Sequence, residues 1–98
     1  MTITSEKNNS TLTLSLDGRL DTNTAPQLEA AITAMDAEIT SLVLDLSALV
    51  YISSAGLRVL LSTHKIMSAR GGMRIRNACD SVRDVFEITG FSDILTIE

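Results

Sequence analysis

Four small residues, Ser53-Ser54-Ala55-Gly56, separate an apolar run from an apolar helical pattern that begins at Leu57. Two adjacent hydroxyls at a helix start lie where backbone N–H groups lack intrahelical acceptors and the helix dipole is positive. That environment favours negative charge, so a serine there is well placed to carry a phosphate. The structural alternative is that Ser53 or Ser54 is simply the N-cap of the helix, worth about 1 kcal/mol. The two roles are compatible, because a capping serine is also exposed. Gly56 is read first as a close helix–strand approach, where a side chain would not fit.

Catalysis finds little support in the rest of the chain. The sequence has no G-x-x-x-x-G-K-[ST] loop, no G-x-S-x-G elbow and no G-x-G-x-x-G after a strand. The only histidine, His64, lies ten residues beyond Ser54 on the same predicted helix, roughly 15 Å away at 1.5 Å per residue. That separation excludes a hydrogen-bonded nucleophile and base. His64 also has no Cys or His at ligand spacing, so it reads as a core or border residue and no metal site is expected. Cys79, without a readable His–Asp arrangement, is most simply a small buried hydrophobe. No cofactor is implied.

The elements that must hold the serine turn follow from hydrophobic periodicity. Leu42-Val43-Leu44-Asp45-Leu46 reads as a strand covered on both faces, with Asp45 at its end needing hydrogen-bond partners. From Leu57 the inward stripe of a helix over about 54–70 runs through Leu60, Leu61, His64 and Met67, with Val59 and Ile66 nearer its borders and Arg58 projecting outward. Arg70-Gly71-Gly72 closes that helix with a cation and a glycine C-cap.

Upstream, Thr11 to Leu16 alternates strictly, and with residues 1–6 and the Lys7-Asn8-Asn9-Ser10 turn it predicts a hairpin, its second strand over 11–17. Thr24 as N-cap, Gln27 completing a capping box and Pro26 in the first turn start a helix over 25–37, with Leu28, Ala31, Ile32 and Met35 inward. Downstream, Met73 to Arg76 alternates within a strand over 73–77. Asp80 caps a third helix over 80–89, whose core face carries Val82, Val85, Phe86 and Thr89, and 94–97 is a last strand.

The order ββαβαβαβ calls for one α/β domain over residues 1–98, with parallel strands joined by helices and an antiparallel N-terminal hairpin. A chain of 98 residues has room for one core, and 45% hydrophobic residues with no Trp make that core aliphatic. The net charge of −4 argues against sequence-independent nucleic-acid binding. One cysteine fits a reducing compartment, and no stretch resembles a signal peptide or membrane span. A cytoplasmic location is expected, with no membrane insertion.

The stretch Asp45 to Leu57, D-L-S-A-L-V-Y-I-S-S-A-G-L, resembles the signature of the STAS domain, the fold of bacterial anti-sigma factor antagonists. Gly18-Arg19-Leu20-Asp21 before a helix, the Gly-Gly turn and Thr89-Gly90-Phe91 extend the similarity over nearly the whole chain. The resemblance implies a partner-switching protein that binds an anti-sigma serine kinase when unphosphorylated and is restored by a serine phosphatase. The phosphoserine position of D-S-[ST]-G falls on Ser54, with Ser53 as rival acceptor, because the usual acidic residue is here Ser53 and the usual following hydroxyl is Ala55. The implied partner surface comprises Asp21, Asp45, Ser53, Ser54, Gly56 and Arg58. Asp45 either braces the turn or lies beside the phosphosite. An alternative is a non-switching STAS interaction subunit of a transport or lipid-trafficking assembly.

Overall fold

The computed structural model describes residues 1–98 and contains five strands and three α-helices in the expected order. Strands β1 (Thr2–Asn8) and β2 (Thr11–Leu20) form the antiparallel hairpin, and Asn9 in its turn takes φ 57°. Helix α1 (Ala25–Thr33) leads to β3 (Ser41–Ile52), and α2 (Ser54–Ser68) leads to β4 (Met73–Arg76). Helix α3 (Asp80–Ile88) and a single 3-10 turn (Phe91–Asp93) precede the short β5 (Thr96–Ile97). The sheet order is β1-β2-β3-β4-β5, and every pair except β1–β2 is parallel.

The core follows from alternation along these strands. Leu12 and Leu14 stand in register with Leu42 and Leu44, which in turn face Met73 and Ile75. That row meets Leu28 and Ile32 of α1, Leu57, Leu60 and Met67 of α2, and Val82 and Phe86 of α3, in one core of 22 buried residues. Each fully buried leucine contributes about 1.5–3 kcal/mol relative to exposure. Val43 is also buried but lies outside that core, in register with Thr13 and Arg74. The helices therefore cover one face of the sheet. Leu42–Leu46 is nonetheless buried toward both faces as expected, since Val43 is 1% exposed on the face without helices.

Strands β2 and β3 are longer than alternation suggests, reaching Leu20 and Ile52. Their register shifts between Ser15 and Asp17 and again between Gly18 and Arg19. Such bulges break the period of two. Ser47 and Ala48 are both exposed, as are Val50 and Tyr51, so the far half of β3 does not read as a strand. Helix α1 stops at Thr33, short of residue 37, and the last strand keeps only Thr96 and Ile97.

Several local devices differ from those expected. Thr24 makes no side-chain cap to α1, and Gln27 instead donates from Nε2 to the Met1 carbonyl at 2.9 Å. Asp80 is the first residue of α3, behind Cys79 as N-cap. The inward face of α2 carries Val59 and the buried Thr63, whereas Leu61 and His64 are only half-buried. Thr63 satisfies its hydroxyl on the Val59 carbonyl at 2.7 Å, which makes a polar residue acceptable there. Helix α2 ends at Ser68 with Lys65 as its last-turn cation. Arg70 lies beyond the helix end and donates to the Asp36 carbonyl. Thr89 is exposed, its hydroxyl bonded back to Val85.

Candidate functional site

The loops after β2, β3 and β4 all leave the carboxyl end of the parallel strands, the end where open α/β sheets place their sites. Two of these loops are tied together. The Ser53 N–H donates to the Leu20 carbonyl at 2.9 Å, which sets the β3–α2 turn against the end of β2. Gly56 is buried on the same contact. A Cβ there would stand 2.7 Å from Leu20 Cγ and 3.0 Å from Ile52 Cγ1, so only glycine lets α2 start so close to the sheet.

The structure separates the two serines. Ser53 is the half-buried N-cap in extended conformation, and its Oγ accepts from the Gly56 N–H at 3.4 Å. Ser54 is the first residue of α2, and it is exposed. No side-chain hydrogen bond engages its hydroxyl. Ala55 beside it is half-buried against the core. The capping role that the sequence leaves open for either residue thus falls on Ser53, and Ser54 keeps an exposed hydroxyl.

Around Ser54 the β2–α1 loop is held by its own side chains. Asp21 Oδ1 accepts from the backbone N–H groups of Asn23 at 3.0 Å and Thr24 at 3.1 Å, while Thr24 Oγ1 accepts from the Asp21 N–H at 2.9 Å. Desolvation pushes the Asp21 carboxyl upward, but the N–H groups of Thr24 and Asn23, the Thr24 hydroxyl and Arg19 outweigh it and hold the pKa below the usual carboxylate value. Arg19 lies 3.9 Å from Asp21 Oδ2 and stacks its guanidinium 4.2 Å from the centroid of the Tyr51 ring.

Between α1 and α2 runs a groove of about 290 Å³ that opens next to this loop. Thr22, Glu29, Ala55 and Arg58 are among its lining residues. Arg58 is exposed one helical turn beyond Ser54 and engages no carboxylate within 4 Å. The structure therefore brings Asp21, Ser53, Ser54, Gly56 and Arg58 to one end of the molecule.

Asp45 is placed differently. It sits within β3, eight residues before Ser53, opposite Arg76 in β4. Its Oδ1 accepts from the Ser47 N–H at 3.0 Å and from Asn77 Nδ2 at 3.4 Å. The Ser47 N–H, opposed by desolvation and aided by the Ser47 side chain, Asn77 and Arg76, holds its pKa below the usual value. Its brace is to Ser47 and Asn77, not to the N–H groups of the serine turn.

The sequence reading missed the exposed pair Val50 and Tyr51, which are 62% and 41% exposed immediately before the serine turn. It also missed the Arg19–Tyr51 pairing across β2 and β3. The available signal was a β-branched and an aromatic residue just past the buried run; the register that pairs them depends on the bulges. Cys79, expected to be a buried hydrophobe, is half-buried and polar in its contacts, with Sγ 3.4 Å from the Leu49 carbonyl and 3.3 Å from Ser81 Oγ. His64 lies at the helix border, and its buried Nδ1 has no hydrogen-bond partner.

The STAS domain family profile matches residues 2–98. The chain belongs to the STAS domain family. This STAS domain is 39% identical over 99% of its length to BtrV of Bordetella bronchiseptica, a protein assigned as an anti-sigma factor antagonist, and it covers 85% of that protein. Among solved structures it superposes on an anti-sigma factor antagonist from Mycobacterium paratuberculosis with TM-score 0.88 and 30% identity, over 98% of this chain and 83% of that one. Bacillus SpoIIAA in its phosphorylated form shares the fold, with TM-score 0.76 and 21% identity over 99% of this STAS domain and 91% of SpoIIAA. No helix of the STAS domain is long and apolar enough to cross a membrane.

Proposed function

We propose that this protein is an anti-sigma factor antagonist whose docking on an anti-sigma serine kinase is controlled by phosphate on Ser54. The observation that carries the reading is the division of labour in the turn. Ser53 is engaged as the cap, while Ser54 presents a free, exposed hydroxyl beside the α1–α2 groove. The antagonist role named for BtrV and for the mycobacterial structure supports the same reading.

In the forward step Ser54 Oγ attacks the γ-phosphorus of ATP held by the kinase. The Oγ–P bond forms as the bond to the ADP oxygen breaks, and the hydroxyl proton passes to a base on the kinase. A serine phosphatase reverses the state by directing water to the phosphorus, which yields inorganic phosphate and the free hydroxyl. Within the domain the modification is tolerated, because the first residue of a helix favours an anion. It adds about −1.5 to −2 charges. Across a docked interface that group meets a surface shaped for a bare hydroxyl, and steric and desolvation costs oppose binding.

In this reading Ser54, Arg58 and Asp21 form the contact surface, Ser53 and Gly56 fix its shape, and Asp45, braced on Ser47 and Asn77, stands apart from it. Intact-mass measurement after incubation with a serine kinase encoded beside this gene and ATP tests it. A gain of one phosphoryl group in wild type and in Ser53→Ala, lost in Ser54→Ala, is expected. Phosphate that persists in Ser54→Ala moves the acceptor to Ser53. With no phosphate on either serine, a non-switching interaction subunit is the better reading.

A further inference from the structure

Six of the eight cationic side chains of this chain are already engaged. Lys7 pairs with Asp36 and Glu38, and Arg19 with Asp21. Arg74 and Arg76 pair with Glu98, Arg70 donates to the Asp36 carbonyl, and Arg83 donates to the carbonyls of Ala78 and Glu98. Arg58 and Lys65 alone have neither an ion pair nor a hydrogen bond, and Lys65 belongs to the last turn of α2. Arg58 is therefore the one unengaged cation in the half of α2 that holds Ser54.

Its position is also directional. Residues four apart on a helix are surface neighbours, with Cβ atoms about 5–6 Å apart. Helical side chains lean toward the helix N-terminus, so an arginine lies over the turn that precedes it. From position 58 that turn begins at Ser54. The neighbouring wall of the groove supplies Glu29, which is not within 4 Å of the guanidinium.

We propose that Arg58 captures the phosphate of phosphorylated Ser54 in an intramolecular ion pair, so that the modification both adds an anion and withdraws the groove's only unpaired cation. The inference rests on the reading of Ser54 as the modified residue. In the bare protein Arg58 is open to a carboxylate presented from outside. In the phosphorylated protein its guanidinium is turned to its own helix, with the forked geometry that suits phosphate oxygens. One mark thus changes two features of the surface, and the backbone need not move.

The test uses the full chain with phosphoserine installed at position 54 during translation, so that no kinase is required. The second phosphate pKa, near 6 for an unperturbed phosphoserine, is read by phosphorus NMR. In wild type it is expected to lie lower than in Arg58→Gln by roughly 0.3–0.7 of a unit at low salt. The difference shrinks at high salt, and Arg58→Lys recovers part of it. The Arg58 Nε–H resonance shifts through the same pH range in wild type. Equal pKa values in wild type and Arg58→Gln, or an Arg58 resonance indifferent to phosphate ionisation, overturn the proposal. Failure of Ser54 to accept phosphate in the kinase assay would strike the functional reading and leave this measurement interpretable.

Discussion

The Ser53 N–H donates to the Leu20 carbonyl at 2.9 Å, and that bond joins the end of β2 to the start of α2. Asp21 follows Leu20 directly and Ser54 follows Ser53, so the two loops of the candidate surface are registered by backbone and not by flexible side chains. A partner that reads Asp21 and Ser54 together meets them at a fixed spacing.

The two serines are expected to separate in stability as well as in chemistry. Ser53→Ala removes the cap acceptor for Gly56 N–H and is predicted to cost about 0.5–1 kcal/mol, at the lower end because the bond is long. Ser54→Ala removes no side-chain hydrogen bond and should leave the unfolding free energy within about 0.5 kcal/mol of wild type. Equilibrium urea denaturation of both variants checks the split, and equal losses would contradict it.

Gly56→Ala should be the more damaging change at this corner. Its methyl group would press on Leu20 Cγ and Ile52 Cγ1, both on buried residues. Overpacking of this kind costs roughly 1–3 kcal/mol. A lowered denaturation midpoint together with displaced amide resonances at Leu20 and Ser53 is expected.

How much of this was legible in the sequence depends on the element. The helices and their inward residues Leu28, Leu60, Met67 and Phe86 follow from periodicity, because a helix buried on one face imposes it. The far half of β3 does not, since two bulges move Ser47, Ala48, Val50 and Tyr51 out of alternation. The serine turn stands out as a cluster of small residues, but which serine is the cap depends on backbone angles that only the fold supplies. Asp45 is visible as a carboxylate that needs partners; that these are Ser47 and Asn77 depends on β4 ending beside it.

Asp45 also gives a pH dependence with a definite sign. Its folded pKa lies below the ordinary aspartate value of about 3.9, so its ionised form stabilises the fold above that value. That contribution is lost as pH falls below about 4 toward the folded pKa. Asp45→Asn should therefore flatten the acid side of the stability profile, and thermal melts between about pH 5 and pH 3 measure it. A variant that keeps the full wild-type slope would remove Asp45 as a contributor.

Arg58→Glu is expected to weaken docking on the proposed kinase partner at least tenfold while moving the melting temperature by no more than about 1–2 °C, because an exposed, unpaired side chain contributes little to folding. Isothermal titration of the bare protein beside a thermal melt checks both halves. Unchanged affinity would take Arg58 out of the contact surface.

Because all three helices lie on one face of the sheet, each central strand has a greasy side and a wet side. If β2 slipped by one residue against β3, Leu14 and Leu16 would turn to water while Thr13 and Ser15 entered the core. At about 1.5–3 kcal/mol per leucine, that misalignment forfeits several kcal/mol, a large share of a small domain's stability. A sheet with helices on both sides would tolerate the same error more cheaply. The one-sided architecture thus proofreads its own strand alignment, and with it the relative placement of Asp21 and Ser54.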